Sequence, residues 1–176
     1  MSTDCVFSGN KGNYKESDFP DGDDLYGRSK LLGEIANASH VLTLRTSIIG
    51  HEINSSNGLL EWFLAQDSEV KGFKNAIFSG LPTTELANVI CKIILREKTL
   101  SGLFHISTNP ISKYDLLSLI AQVYRKKVVI RPVLQPRINR SLNCTQFSKK
   151  TGYKTKPWLK LIEEMRAEYL GSSPKK

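Results

Sequence analysis

Tyr26 and Lys30 stand four residues apart in the run Asp24-Leu25-Tyr26-Gly27-Arg28-Ser29-Lys30-Leu31-Leu32-Gly33-Glu34. On a helix, that spacing stacks two side chains on one face. A phenol ordinarily ionises near pH ~10 and is a sluggish acid or base at neutrality. A neighbouring ammonium favours the phenolate and lowers that value. A tyrosine tuned in this way can hand a proton to a carbonyl oxygen as a hydride reaches its carbon. The spacing alone recurs by chance on many helices, so its weight depends on the flanking segments.

Those segments carry a resemblance. Ser2-Thr3-Asp4-Cys5-Val6-Phe7-Ser8-Gly9 resembles an S-T-D-x-V-F-x-G strand, and Tyr14-Lys15-Glu16-Ser17-Asp18 a Y-x-E-x-D loop. The Tyr26/Lys30 run resembles V-Y-G-x-[ST]-K-L-x-G-E, and Leu44-Arg45-Thr46-Ser47 an L-R-T-S strand. Gly80-Leu81-Pro82-Thr83 resembles G-x-P-T, and Gly102-Leu103-Phe104-His105 resembles G-x-[YF]-H. Asn139-Arg140-Ser141-Leu142-Asn143 is a looser echo near the C-terminus. In this order the segments are similar to the extended short-chain dehydrogenase/reductase family, and within it to the dTDP-4-dehydrorhamnose reductases.

The resemblance implies a nicotinamide cofactor, NADPH or NADH, and a nucleotide-diphosphate sugar bearing a keto group. It implies Tyr26 as proton donor. Lys30 becomes the residue that tunes that tyrosine and holds the nicotinamide ribose. Thr3 becomes the hydroxyl that bonds the substrate carbonyl, with Ser2 as its fallback. Asp4 falls at a sugar-contacting position. Ile48 stands where the reductase pattern has a sugar-packing tryptophan, and its side chain reads more simply as strand core. An epimerase or dehydratase on the same scaffold, and a non-catalytic reductase-like subunit, are the alternatives.

One departure is larger. Dinucleotide-binding sheets hold pyrophosphate on a Gly-rich turn between the first strand and helix. No G-x-G-x-x-G occurs here, and Gly9 and Gly12 lie in a polar loop as turn glycines. The expectation is a C-terminal part of such an enzyme, with the N-terminal βαβ units absent, inactive alone.

The elements that must position these residues follow from periodicity. Met1–Phe7 reads as the end of a buried strand, Ser8–Asp24 as a loop, and a helix capped by Asp23 or Asp24 runs to Ala38. Val41–Ile49 reads as a strand. Leu59, Leu60, Phe63 and Leu64 mark a helix. Ala76–Ser79 is a strand. A helix capped by Thr83 or Thr84 carries Leu86, Val89, Ile90, Ile93 and Ile94 on one face. Gly102–Ser107 is a strand, Ser112 caps a helix through Tyr124, and Val128–Val133 is a strand. Pro157 opens the last helix, and Gly171 onward reads as a polar tail. Stretches 51–58 and 134–144 read as linkers. The alternation predicts an α/β fold with a largely parallel sheet. Residues 1–50 read as part of a dinucleotide-binding domain and 51–176 as a substrate lobe, with 83–110 returning to the sheet.

Bulk properties narrow the function classes. The chain has 176 residues, of which 40% are hydrophobic and 24% charged, as in ordinary globular domains. No apolar run approaches the ~18 residues of a membrane span. Three dispersed cysteines, Cys5, Cys91 and Cys144, suggest neither a disulfide framework nor a metal site, and fit a reducing, cytoplasmic setting. The net charge of +8 is concentrated towards the C-terminus. The cations are scattered among apolar positions without an aromatic ladder, which argues against nucleic acid and suits a diphosphate ligand. A homodimer is compatible with this reading. Arg45 reads as one half of a structural ion pair. Arg137 and Arg140 read as a diphosphate clamp or as solvated surface. His40, His51 and His105 have no acid or nucleophile at a telling spacing.

Overall fold

The computed structural model describes residues 1–53, 55–97 and 99–172. Three parallel strands form the sheet that carries the motif: β1 (Ser2–Thr3), β2 (Leu42–Thr46) and, downstream, β7 (Gly102–His105), in the order β1-β2-β7. Ser2 lies opposite Arg45 and Thr3 opposite Thr46, and Arg45 lies opposite His105. A parallel pair, β3 (Ile48–Ile49) with β6 (Leu81–Pro82), continues from the tip of β2. Two further small sheets build the other side. β4 (Glu69–Phe73) pairs in parallel with β9 (Val129–Val133). β5 (Ala76–Phe78) pairs in parallel with β10 (Ile138–Asn139) and antiparallel with β8 (Ile111–Ser112). The helices are α1 (Leu25–Leu32), α2 (Leu59–Leu64), α3 (Thr83–Val89), α4 (Lys113–Tyr124), α5 (Thr145–Thr151) and α6 (Trp158–Ser172). The fold is thus α/β with parallel pairing dominant.

Apolar burial explains the layout. Leu60 and Phe63 of α2, Leu116, Leu117 and Ile120 of α4, and Trp158, Leu161, Ile162 and Met165 of α6 share one core. Leu44 of β2, Leu86 and Val89 of α3, Phe104 of β7 and Phe147 of α5 share a second. Val6, Phe7, Tyr14 and Leu142 form a third, under the first loop. No helix among the described residues is long and apolar enough to cross a membrane.

Several elements differ from the sequence pattern for physical reasons. β1 is only two residues long, and Asp4–Val6 turns at once into a 3₁₀ helix capped by the Thr3 hydroxyl. α1 stops at Leu32, with Gly33 as its cap, because Glu34 leaves the helix for a buried ion pair. The Val41–Ile49 run breaks at Ser47, whose carbonyl accepts from the Leu81 N–H at 2.8 Å, so Ile48–Ile49 join a different partner strand. Neither Thr83 nor Thr84 caps α3: the cap position is Pro82, without a side-chain bond, and the helix widens into a π turn over Ile90–Ile94. Ser112 does cap α4, accepting from the Asp115 N–H at 3.0 Å. β4 and α5 lie outside the sequence pattern altogether. α6 runs on through Gly171, and the rest of the expected polar tail lies outside the described residues.

The 134–144 stretch does more than link. Tyr14 N–H donates to the Ser141 carbonyl at 2.9 Å and Asn143 N–H to the Tyr14 carbonyl at 2.7 Å. The first loop and the segment after β10 therefore run side by side. Gly12 makes this possible: its φ is +73°, and a Cβ there would fall 2.3 Å from the Asn139 side chain.

Candidate active site

The helix carrying Tyr26 and Lys30 is fixed at its first turn. Asp24 caps it by accepting from the Gly27 N–H at 2.7 Å. Gly27 sits so close to the 3₁₀ turn that a Cβ would lie 2.2 Å from the Cys5 carbonyl oxygen. α1 is thereby pressed against Asp4–Val6, directly after Thr3. Thr3, Tyr26, Lys30, Cys5 and Ile48 line one open cleft of about 440 Å³. That volume lies within the range of small-molecule pockets.

Within the cleft the groups differ in how committed they are. Tyr26 lines the cleft and is 57% exposed. Thr3 is buried; its hydroxyl accepts from the Cys5 N–H and donates to Asp4 Oδ1, both at 3.2 Å. Asp4 is also buried. Desolvation pushes its carboxyl above the ordinary range, against the opposing hydrogen bond from Thr3. Asp4 does not line the Tyr26 cleft. It lines an adjoining pocket of about 210 Å³, together with Ile48, Lys113 and Arg140. Ile48 borders both cavities and is 56% exposed, so it is a cleft residue and not the strand-core residue that its side chain suggested.

Ser2 also borders this cleft, but its side chain is already engaged. Its hydroxyl donates to Glu34 Oε1 at 2.6 Å. Glu34 also receives Arg45 through two bonds, at 2.7 and 2.6 Å. Arg45 is the structural ion pair its sequence context suggested, with side chains only 3% and 7% exposed. His105 completes the knot. Its Nδ1 donates to the Tyr14 carbonyl at 3.0 Å, which leaves Nε2 to accept from Arg45 at 3.4 Å. Burial, and then the Arg45 charge, lower its pKa to about 4, so it is a neutral core histidine.

Sequence reasoning overlooked Cys5 and Lys113, which have no telling neighbours in the chain. Arg140 was legible only as one of two loop arginines. Arg137 is exposed, whereas Arg140 is partly buried beside Asp24 and Cys5. Trp62, which reads as a packing residue, is 40% exposed. Among the described residues, no cluster of His, Cys, Asp and Glu could hold a metal.

Residues 1–170 match the family model described as RmlD substrate binding domain. The chain belongs to the RmlD substrate-binding-domain family. A dTDP-4-dehydrorhamnose reductase of Aggregatibacter actinomycetemcomitans is 27% identical over 191 residues, covering 95% of this chain and 65% of that protein. A hypothetical dTDP-4-dehydrorhamnose reductase from Sulfolobus tokodaii superposes with a TM-score of 0.73 at 29% identity, covering 89% of this chain and 60% of that one. The Bacillus anthracis dTDP-4-dehydrorhamnose reductase, solved in complex with NADP, gives 0.78 at 24% identity over 95% of this chain and 64% of its own. The RmlD-family chain described here thus spans about two-thirds of the curated relative's length. Its fold is the α/β, Rossmann-type fold of these structures.

Proposed function

We propose that this chain carries the catalytic helix and substrate lobe of a nicotinamide-dependent reductase of 4-keto nucleotide sugars. The observation that supports the reading is the gathering of Thr3, Tyr26 and Lys30 on one open cleft. Tyr26 protonates the carbonyl oxygen, and its exposure to the cleft leaves the phenol free to reach it. Thr3 orients that oxygen once the ligand's carbonyl replaces Asp4 Oδ1 as the acceptor of the Thr3 hydroxyl proton. Lys30, one turn along α1, lines the same cleft and would hold the ribose. A reduced nicotinamide, when bound, supplies the hydride. Lys30 and Tyr26 fit the nicotinamide end of such a cofactor, and residues 1–176 contain no Gly-rich turn for its pyrophosphate. Residues 1–50 act in this reading as the catalytic side of a nucleotide-binding sheet. Residues 51–176 act as the sugar-nucleotide lobe, with 83–110 returning to that sheet.

The test is turnover. Protein expressed from the longest reading frame containing these residues should oxidise NADPH or NADH when given a dTDP-4-keto-6-deoxyhexose. The present chain alone should not. Nicotinamide oxidation that ignores the keto sugar, or a product with its carbonyl intact, would remove the reductase reading.

A further inference from the structure

The pocket beside the Tyr26 cleft holds an arginine short of acceptors. Arg140 Nη2 lies 3.5 Å from Asp24 Oδ2, whereas good arginine–carboxylate bonds form at roughly 2.7–2.9 Å. Asp24 spends its other oxygen on the α1 cap. Among the described residues, Arg140 Nη1 donates to the Cys5 sulfur alone, at 3.4 Å, a weak acceptor. Its Nε is buried and has no hydrogen-bond partner among the described residues. Such an orphaned donor is costly unless something else completes it. Arg45 shows what a completed guanidinium looks like in the same fold, with two short carboxylate bonds and a histidine.

The surroundings of Arg140 favour an anion. Lys113 lines the same pocket at the start of α4, and it joins no salt bridge among the described residues. The acids that face the pair are Asp24, on the α1 cap, and the buried Asp4. The remaining walls include Ile49, Leu59, Phe78 and Ile138, so water is partly excluded and a charge-assisted bond gains strength. Cys5, Ser47 and Ile48 border both this pocket and the Tyr26 cleft. A ligand with its reacting carbon in the cleft can therefore extend into the pocket.

We infer that Arg140, assisted by Lys113, is a specificity-determining residue that binds an anionic oxygen group of the substrate, taking up that group in place of its long contact with Asp24. The inference rests on the nucleotide-sugar reading above. Two sources carry this chemistry: the diphosphate of a nucleotide sugar, and a carboxylate on the sugar ring. A bidentate guanidinium suits either.

Titration of the chain itself, without turnover, separates this inference from the reductase reading. Thymidine diphosphate, pyrophosphate and glucuronate serve as probes, with thymidine as the neutral control. Calorimetry should show binding of one anion class. Arg140→Ala should weaken it by about 10- to 100-fold, the usual effect of losing a charged hydrogen bond. Arg140→Lys should recover part of the loss, and Arg137→Ala should change little. The Arg140 Nε–H resonance should shift as the anion arrives. Binding of the phosphates alone assigns the diphosphate source, and binding of glucuronate alone assigns the carboxylate. Anion affinity unchanged in Arg140→Ala, equal losses in Arg137→Ala, or no anion binding by the parent chain would overturn the inference. In the longest-frame enzyme, Arg140→Ala should raise KM and largely keep kcat. Turnover with an unchanged KM would leave the reductase reading standing and sink this one.

Discussion

One eleven-residue run, from Asp24 to Glu34, faces two different environments. Tyr26 and Lys30 look into an open cleft, where the phenol is more than half exposed. Glu34, at the end of the same run, turns the other way into a knot with Arg45, Ser2 and, through Arg45, His105. In the knot, the carboxylate and guanidinium meet in short, paired bonds. In the side pocket, Arg140 is held by a long contact with Asp24, and its Nε lacks a partner among the described residues. The difference teaches how to read charge in this fold. Groups satisfied by one another hold the helix end and sheet together, and groups left incomplete are those with capacity for a ligand.

The comparison is broken most directly at Glu34. Glu34→Ala leaves Arg45 buried without its acid, and should destabilise the protein by about 3–5 kcal/mol, read by denaturant melts. Arg140→Ala should change stability far less. Equal losses at the two sites would erase the contrast. The next effect is a pH dependence. His105 has a folded pKa of about 4 against 6.5 for the free side chain. The unfolded chain therefore binds the extra proton first. Stability from the neutral His105 is fully present above the unfolded value and is lost as pH falls from 6.5 towards 4, by up to about 3 kcal/mol. Melting temperatures across that window should flatten in His105→Gln, measured against the parent slope. The smallest effect is expected at Ile48, which borders the cleft but is exposed. Ile48→Ala should shift stability by no more than about 0.5 kcal/mol, and a core-sized loss would place it in the packing instead.

Much of the fold was legible because its signals are local. The Ser112 cap, the apolar face of α4 and the Pro157 start of the last helix are readable within a few residues. β4 was not, since Glu69-Val70-Lys71-Gly72-Phe73 has weak strand chemistry and is held by pairing with β9, some sixty residues on. The end of α1 escaped for the same reason: Arg45, a tertiary partner, decides where Glu34 goes. Of the candidate site, Tyr26, Lys30 and Thr3 were legible as a motif, and the structure brings them to one cleft. Asp4 and Ile48 were legible as positions, but their orientation depends on the tight turn after Thr3. Cys5, Lys113 and the under-partnered state of Arg140 emerge only when β1, α4 and the segment after β10 meet in space.

The central claim is that the exposed phenol of Tyr26 does the proton transfer while the knot behind it only supports. It is tested most directly by kcat of Tyr26→Phe in the longest-frame enzyme, with the melting temperature measured on the same sample. The account predicts a loss of about 10²- to 10⁴-fold with the melting temperature essentially unchanged. A variant that turns over like the parent would contradict it.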